Sequence, residues 1–212
     1  MGILRFITES EAERQVRPTN IHLWPAVVEN KFVKIRAIRV EFFDLNHMSL
    51  PYKIATLLYC FSEREEILLL ERAQEPNRGF WSPCGGKLKM DLGESPFVCA
   101  CREAHEEIGL VLTPPDLHLA GLISEHGYQG QTHWLMFLFE VKVKLKSLPP
   151  PHAEGSFAFF LRDQIASLKI PQTDRERIWP WFWQFRGGFF AAHCHCHADG
   201  RNDWTLEEAK VS

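Results

Sequence analysis

The sequence lacks any long hydrophobic run that could cross a membrane. No stretch of 18 consecutive apolar residues occurs in its 212 residues, and a transmembrane helix needs about that length. The first residues, Met1 to Phe6, contain no apolar segment of the kind found in secretory signal peptides. Position 6 also lacks the hydroxyl side chain of an N-myristoylation signal. We therefore expect a cytoplasmic protein with no membrane partner.

The sequence also lacks the cysteine spacing of a structural zinc site and the excess of basic residues that is typical of nucleic-acid-binding proteins. The six cysteines include no Cys-x-x-Cys pair, the usual spacing of a structural zinc site. Lysine and arginine number 24 against 27 aspartate and glutamate residues, so positive charge is not in excess and a nucleic-acid partner is not expected. A small anionic ligand would have to be neutralised locally, by a metal ion or a basic pocket.

What is present is the composition of one globular domain. Hydrophobic residues make up 45% of the chain, and its length suits one well-buried domain and not two. Residues 1–50 show little periodicity and are predicted to form an N-terminal extension packed on the core. Residues 51–212 alternate between β-rich runs and helical segments, which predicts an α/β domain with a mixed sheet covered by helices. Composition leaves the oligomeric state open.

The best-marked element is a helix over residues 95–108. Ser95 is a favourable N-cap, Pro96 stands at the first helical position, and Gly109 suits the C-terminal cap. Apolar residues share one stripe of this helix, as expected for a helix packed on a core. The sequence therefore fixes both ends of the helix and its buried side.

Three glutamates share the polar face of this helix. They are Glu103, Glu106 and Glu107, spaced i, i+3 and i+4. Like charges at this spacing repel by about 0.2–0.5 kcal/mol per pair, so the cluster favours a bound cation. Carboxylates are typical ligands of Mg²⁺ and Mn²⁺, which can neutralise a pyrophosphate and activate water. The alternative is an ordinary acidic surface, and the helix alone does not decide between the two.

The residues around the helix favour the metal site. A glycine-rich segment, Gly85-Gly86-Lys87-Leu88, precedes Gly93-Glu94-Ser95, and the helix carries Arg102-Glu103-Ala104-His105-Glu106-Glu107-Ile108-Gly109-Leu110. This arrangement resembles the Nudix box, in which seven residues separate a glutamate from Arg-Glu-apolar-x-Glu-Glu-x-Gly-apolar. So many fixed positions make the motif highly specific. The resemblance implies a Nudix-type α/β/α sandwich with a catalytic loop-helix. It also implies hydrolysis of a phosphoanhydride bond in a nucleoside diphosphate derivative.

The resemblance assigns a role to each residue of the box. Arg102 would pair with Glu94 and hold Glu103 in place, which is the kind of support that metal ligands need. The metal would be Mg²⁺ or Mn²⁺. Its implied ligands are Glu103, Glu106, Glu107 and the main-chain carbonyl of Gly85.

The loop of the box departs from the family pattern in length. Seven residues separate Gly86 from Glu94, where the family has five. We interpret the difference as a two-residue insertion near Lys89-Met90-Asp91. It should form a bulged loop before the helix and not extend the helix itself.

The box does not identify the general base that would activate water. Glu125, after the strand that follows the helix, and Glu154, in a later loop, each offer a carboxylate that could approach the metal. We select Glu154 as the catalytic residue and keep Glu125 as the alternative. Either could instead be an ordinary surface acid.

The similarity extends beyond the box to the MutT-like branch, whose members hydrolyse oxidised purine nucleoside triphosphates. It rests on the approach segment 79–87 and on an aromatic helix and hairpin at 174–208. By this resemblance Trp81 would stack on the base, Asp174 would read a purine edge and Lys87 would bind the substrate. The products would be a nucleoside monophosphate and pyrophosphate.

Other functions stay open at this point. A dinucleoside polyphosphate is loosely indicated by Tyr128, and ADP-ribose or a nucleotide sugar are further alternatives within the family. A nucleotide-binding sensor without catalysis is disfavoured by the intact glutamates. In the segment 193–197, three histidines should share one face of a strand and two cysteines the other. Packing of these cysteines as small hydrophobes is favoured over a zinc site at the histidines.

Overall fold

The computed structural model describes residues 50–75, 77–151 and 153–211. The predicted N-terminal extension, apart from its last residue, lies outside these ranges. The strands are β1 (Tyr52–Tyr59), β2 (Ile67–Arg72), β3 (Trp81–Ser82), β4 (Leu117–Tyr128), β5 (Thr132–Val141), β6 (Gly155–Phe160), β7 (Phe189–Cys196) and β8 (Asn202–Lys210). The helices are α1 (Pro96–Ile108) and α2 (Trp179–Gln184), and a π-helical turn, Asp174–Ile178, leads into α2.

The strands form two sheets. One has five strands in the order β1-β5-β4-β7-β8, with β1/β5 and β4/β7 parallel and the other neighbours antiparallel. The other has three antiparallel strands in the order β3-β2-β6. The prediction of an α/β domain with a mixed sheet is therefore confirmed.

The two sheets are joined at the first hairpin of the domain. Phe61 and Ile67 form an antiparallel bridge, and Leu68 N–H donates to the Cys60 carbonyl at 2.9 Å. Beyond this point the strands separate, since β1 pairs with β5 and β2 pairs with β3 and β6. The chain segments that continue β1 and precede β2 thus pair only next to the turn that connects them.

Alternation along the strands divides the core into two layers. Tyr59 and Leu138 belong to a cluster that also contains the aromatic side chains of α2. Leu58 and Phe139, their neighbours in sequence, belong to a second cluster with the apolar stripe of α1. Because successive strand residues face opposite sides, α1 and α2 cover opposite faces. This is the α/β/α sandwich expected.

Local signals explain the bounds of α1. The Ser95 hydroxyl oxygen accepts a hydrogen bond from Val98 N–H at 3.3 Å, which satisfies one of the free donors at the helix start. Gly109 ends the helix with a φ of 69°, a left-handed conformation that suits glycine. Helix and caps match the sequence prediction.

The inserted residues form a short turn before the helix. Met90–Leu92 is a single 3₁₀ turn, closed by Gly93 at a φ of 63°. Met90 and Leu92 are both exposed. The insertion is therefore a bulge outside α1, as predicted.

The C-terminal part also follows the prediction. The expected aromatic helix consists of the π-helical turn and α2, and β7 and β8 form the closing hairpin, with β8 at the sheet edge. Among the described residues, none of the helices is both long and apolar enough to span a membrane.

Candidate active site

A cleft of about 330 Å³ opens between β1, the glycine-rich loop, α1 and the turn before α2. Seven residues with a role expected from the sequence line it. They are Gly85, Lys87, Glu103, Glu125, Tyr128, Glu154 and Asp174. Five other residues predicted for the site are not among its lining residues. They are Trp81, Glu94, Arg102, Glu106 and Glu107.

Glu107 lies just behind the cleft wall. Its side chain is buried, with 5% of its surface exposed, and its Oε2 accepts a hydrogen bond from Gly85 N–H at 2.8 Å. A Cβ at position 85 would lie 2.1 Å from the Thr56 carbonyl oxygen, and φ there is 134°. Only glycine therefore lets the loop lie against β1 while its amide holds Glu107.

Arg102 gathers the other acids of the box. Its Nε and Nη2 donate to the two carboxylate oxygens of Glu94 at 2.7 and 2.9 Å, a bidentate pair. Its Nη1 donates to Glu103 at 2.6 Å and to Glu106 at 3.0 Å. Nη2 also donates to the Lys87 carbonyl at 3.2 Å, so one guanidinium ties the loop to the helix.

The structure separates the three helix glutamates in environment. Glu103 is 9% exposed and lines the cleft. A Cβ at Gly86 would lie 2.2 Å from its Oε1, so the loop backbone is in close contact with this carboxylate. The Glu106 side chain is 50% exposed and outside the lining. Of the three glutamates on the polar face of α1, only Glu103 lines the cleft, because Glu106 faces solvent and Glu107 is buried behind the Gly85 loop.

Burial and charge set the protonation of these acids. Desolvation raises the pKa of Glu107 to about 8, and the charges of Glu103 and Glu154 add to the rise. Burial also raises the pKa of Glu103, against the opposing effect of Arg102. Hydrogen bonds from Arg102 lower the pKa of Glu94 to about 2. The helix acids next to the cleft thus disfavour further negative charge, which a cation would relieve.

A second acidic group lies elsewhere in the same cleft. Glu125, at 3% exposure, and Asp174, on the π-helical turn, both line it. Burial raises the pKa of Glu125 to about 8, with Asp174 adding to the rise, and burial raises the pKa of Asp174 to about 7. We call Glu125 and Asp174 the inner pair. The Tyr128 phenol lies close by and accepts a hydrogen bond from Asn77 at 3.2 Å.

Three basic side chains also line the cleft. They are Lys53, Arg72 and Lys87. Arg72 lies close enough to Glu107 to oppose the rise of its pKa. Of the three, only Lys87 was expected from the sequence. Arg72 is the last residue of β2, shortly before the glycine-rich loop. This position in the sequence was the signal that could have predicted a place for Arg72 in the cleft.

Comparison with known families identifies the chain. The NUDIX domain matches residues 51–182, which is more than half of the sequence and includes the whole loop-helix motif. The chain belongs to the Nudix family. The matched region runs from β1 into α2, so β7 and β8 of this Nudix protein lie beyond it.

Several relatives resemble this Nudix chain. A protein of Bacillus subtilis, described as the uncharacterized Nudix hydrolase YvcI, is 37% identical over 76 residues, or 35% of this chain. The match spans only 45% of that curated relative. The mutator MutT protein of Bacillus halodurans has a TM-score of 0.57 at 22% identity, covering 73% of this chain and 97% of that one. The NUDIX domain of Shewanella oneidensis NrtR, complexed with ADP ribose, has a TM-score of 0.52 at 11% identity, covering 68% and 93%. At these identities the structures show the shared Nudix fold.

Nudix proteins generally use divalent metal ions such as Mg²⁺. The side chains at this site offer donor atoms of the type that such an ion prefers. Glu103, Glu106, Glu107 and Glu154 supply carboxylate oxygens, which hard divalent cations prefer. Within the part of the chain that the structure describes, no three His, Cys, Asp or Glu side chains are arranged around a common point. Arg102 and the Gly85 amide hold the helix acids instead. The charge of Glu154 nevertheless adds to the burial that raises the pKa of Glu103 and of Glu107, which marks the place where a cation would be stabilised.

The structure does not place Trp81 where stacking on a base was predicted. Its ring packs against Phe160, with centroids 4.8 Å apart in an edge-to-face arrangement, as part of the α2-side core. Its neighbours Phe80 and Ser82 line the cleft, since adjacent residues of an extended chain face opposite sides. Trp134, which also lines the cleft, is the large indole in reach of a ligand. Sequence reasoning missed it because β5 reads as a core strand.

The histidine-rich segment follows the strand alternation that was expected. Cys194 is fully buried, while His195 on the other face is exposed. His195 stacks on His197, with ring centroids 4.4 Å apart. The described histidines, like the described acids, form no set spaced to hold a metal ion. A zinc site at this segment therefore has no structural support.

Proposed function

We propose that this Nudix protein hydrolyses a phosphoanhydride bond of a nucleotide with the help of Mg²⁺ or Mn²⁺. The observation that carries the proposal is the composition of one cleft. Glu103, Glu154 and the Gly85 loop lie along it together with three basic side chains and the separate inner pair. Acids that can hold a metal, cations that can bind phosphates and a distinct polar pocket are the parts that such a substrate needs.

The helix end of the cleft would hold the metal. Glu103, Glu106, Glu107 and the Gly85 carbonyl are the proposed ligands, with Arg102 keeping Glu94 and the loop in place. A bound divalent ion would neutralise phosphate charge and lower the pKa of an attacking water molecule. The buried setting of Glu107 supports the choice, because an isolated carboxylate is costly to bury unless it is paired with a cation.

Glu154 is the better candidate for the general base. It lines the cleft and lies near enough to Glu103 and Glu107 to raise the pKa of both. Glu125 interacts with Asp174 and Cys196 and is not among the charged neighbours of those helix acids. A base must reach the water near the metal, and this favours Glu154 over Glu125. Its task would be to accept the proton of that water.

The proposed substrate is a purine nucleoside triphosphate, including oxidised purines such as 8-oxo-dGTP. Lys53, Arg72 and Lys87 offer positive charge for a triphosphate. Asp174 would contact the base and Trp134 would supply the stacking face that was first assigned to Trp81. Attack of water on the inner phosphorus would release a nucleoside monophosphate and pyrophosphate.

A substrate panel tests this proposal. Purine and pyrimidine nucleoside triphosphates, ADP-ribose and dinucleoside polyphosphates are incubated with Mg²⁺, and phosphate and pyrophosphate are measured separately. We expect the highest kcat/KM for a purine triphosphate, with pyrophosphate as product. Faster release of AMP from ADP-ribose, or faster cleavage of a dinucleoside polyphosphate, would overturn the substrate but not the metal site. No hydrolysis of any compound would leave a nucleotide-binding protein without catalysis.

A further inference from the structure

Two cysteine side chains lie next to each other on strand β7. Cys194 and Cys196 are two residues apart, so both point to the same side of the sheet. Their Sγ atoms are 3.7 Å apart, a hydrogen-bonding distance for sulfur. Cys194 is the parallel register partner of Glu125 on β4, and neither cysteine is among the lining residues of the cleft. The two thiols therefore lie behind the cleft wall, and the proposed hydrolysis does not use them.

The spacing of the two thiols suits a disulfide bond. Residues two apart on a strand have Cα atoms about 6.4–6.8 Å apart, and bridged cysteines usually have Cα atoms about 4.4–6.8 Å apart. The Sγ atoms would have to approach from 3.7 Å to a bonded distance of about 2.05 Å. Cys196 is the last residue of β7, and the ends of elements open more easily than their centres. Side-chain rotation with a small movement of this strand end would close the bond.

The two thiols differ in exposure, which decides which of them ionises. Cys194 is fully buried, whereas Cys196 is partly exposed. Their shared hydrogen bond raises the pKa of Cys194, with burial adding to the rise. The same bond lowers the pKa of Cys196, against the opposing effects of burial and of the Glu176 charge. The titratable groups that face the pair are Glu125, Tyr128 and Glu176. The thiolate thus forms at Cys196, where water can solvate its charge.

The other four cysteines lack this combination of properties. Cys60, Cys84 and Cys99 are buried, and Cys101 is partly exposed. Burial raises the pKa of all four thiols. Peroxides react with thiolates, and redox-active cysteines typically combine a lowered pKa, solvent access and a neighbouring thiol. Among the described residues, which include all six cysteines, only Cys196 has these three properties.

We propose that Cys196 and Cys194 form a peroxide-reactive dithiol site that is converted reversibly to a disulfide. The Cys196 thiolate attacks one oxygen of the peroxide, the O–O bond breaks, and Cys196 becomes a sulfenic acid while hydroxide leaves. The Cys194 thiol then attacks the Cys196 sulfur, so that the S–S bond forms and the hydroxyl group leaves as water. In total, two thiols lose two electrons and two protons, and one hydrogen peroxide molecule becomes two water molecules. A small dithiol reverses the reaction by attacking the accessible Cys196 sulfur.

Treatment of the full chain with hydrogen peroxide tests the inference. Neither metal nor nucleotide is needed, so the outcome is independent of the proposed function. Catalase removes excess peroxide, the remaining thiols are alkylated under denaturing conditions, and the peptides are weighed by mass spectrometry. We expect the wild type to lose two of its six thiols. The peptide with Cys194 and Cys196 should become lighter by two hydrogen atoms, and dithiothreitol should restore both thiols. Retention of all six thiols, or a disulfide between other cysteines, would overturn the inference.

Substitutions of the two cysteines separate their roles. Cys194→Ser removes the second thiol but keeps a hydrogen-bond donor, so oxidation should stop at a sulfenic acid on Cys196, which dimedone traps. Cys194→Ala removes the donor as well, so Cys196 should need a higher pH to reach half of its maximal rate. Cys196→Ser should react with peroxide at least about 10-fold more slowly than the wild type. Equal pH profiles in the two Cys194 variants, or a wild-type rate in Cys196→Ser, would contradict the assigned roles.

The control is Cys101→Ser. Cys101 is a partly exposed thiol on α1 with a pKa raised by burial, so its loss should leave the rate and the yield of the disulfide unchanged. Loss of the disulfide in this variant would show that Cys101, and not Cys196, is the thiol that reacts with peroxide, and the inference would be wrong.

Discussion

The cleft contains two clusters of acidic side chains, the helix acids and the inner pair, which differ in the groups that balance their negative charge. The helix acids are held by Arg102 and by main-chain N–H groups, which link Glu94, Glu103 and Glu106 into one network. The inner pair has a hydroxyl group and no cation among the neighbours that shift the pKa of Glu125. The charges of the helix acids are therefore partly balanced by Arg102, whereas no cation balances the inner pair among these neighbours.

This difference separates two tasks that a nucleotide site must perform. Charge on phosphates requires fixed charges of opposite sign or a metal, and ionised carboxylates can hold such a metal. Recognition of a neutral base requires donors and acceptors at fixed positions, and a partly protonated pair supplies both. Changes at the helix acids should therefore affect kcat, and changes at the inner pair should affect selection between bases.

The largest expected effect is at the helix end. Glu107→Gln keeps the shape of the side chain but removes its charge, so kcat should fall by about 100-fold or more. EDTA should abolish hydrolysis by the wild type, and Mg²⁺ or Mn²⁺ should restore it. Glu140→Gln is a matched control, because Glu140 pairs with Arg186 away from the cleft. Near-wild-type kcat in Glu107→Gln would refute the metal assignment.

A smaller loss of kcat is expected when a side chain is added to the loop at its contact with Glu103. In Gly86→Ala the new Cβ would lie 2.2 Å from Glu103 Oε1, so the carboxylate must shift. A shift of this size at a metal ligand should lower kcat by about 10- to 100-fold. Gly93→Ala is the control: nothing lies within 4 Å of its Cβ, although φ is 63°. It should lose stability by about 1 kcal/mol and retain kcat, whereas equal activity losses in both variants would contradict the contact.

Asp174→Asn should change selectivity more than rate. The variant loses the charged acceptor at the inner pair, so kcat/KM for the preferred purine triphosphate should fall by about 10-fold. For a pyrimidine triphosphate, which is too short to make the same contacts, the change should be less than about 2-fold. Steady-state kinetics with both substrates measures the ratio. Equal losses for both would place Asp174 in a general role instead of base recognition.

The last expected effect concerns how the free energy of unfolding depends on pH. Glu125 has a pKa raised from 4.5 to about 8 in the folded protein, so the folded state holds a proton that the unfolded state releases over that range. Its contribution to the free energy of unfolding must then fall as pH rises from about 4.5 to 8. Glu125→Gln removes this term, so its Tm relative to the wild type should rise by about 10 °C from pH 5 to pH 9. A constant difference in Tm would show that Glu125 ionises normally.

The helix end was predictable because its residues are contiguous. The segment of α1 contains the caps, the apolar stripe and the acidic face of the helix. The geometry of a helix then fixes the directions in which these side chains point relative to one another. The same reasoning placed the inserted turn correctly. What the periodicity could not supply was the rotation that leaves Glu106 half exposed and Glu107 behind the loop, since this depends on contacts with β1.

The inner pair was not predictable in the same way. Glu125 lies on β4 and Asp174 on a turn nearly fifty residues later, and only the tertiary fold brings them together. The sequence suggested a base contact for Asp174 and a catalytic role for Glu125, without linking the two. The predicted stacking of Trp81 on the base was wrong for a related reason. Trp81 lies in a two-residue strand, and the side of the sheet that it faces depends on packing partners that the sequence does not show.

The turn at Met90–Leu92 makes the loop a suitable place for protein engineering. Its apolar residues are exposed, and Gly93 closes it with open space around its Cβ position. The cleft-facing part of the loop is fastened separately, by bridges from Lys87 to Ala55 and from Cys84 to Leu58. A peptide tag or a fluorescent label inserted at this turn would therefore be carried beside the active site without altering its lining.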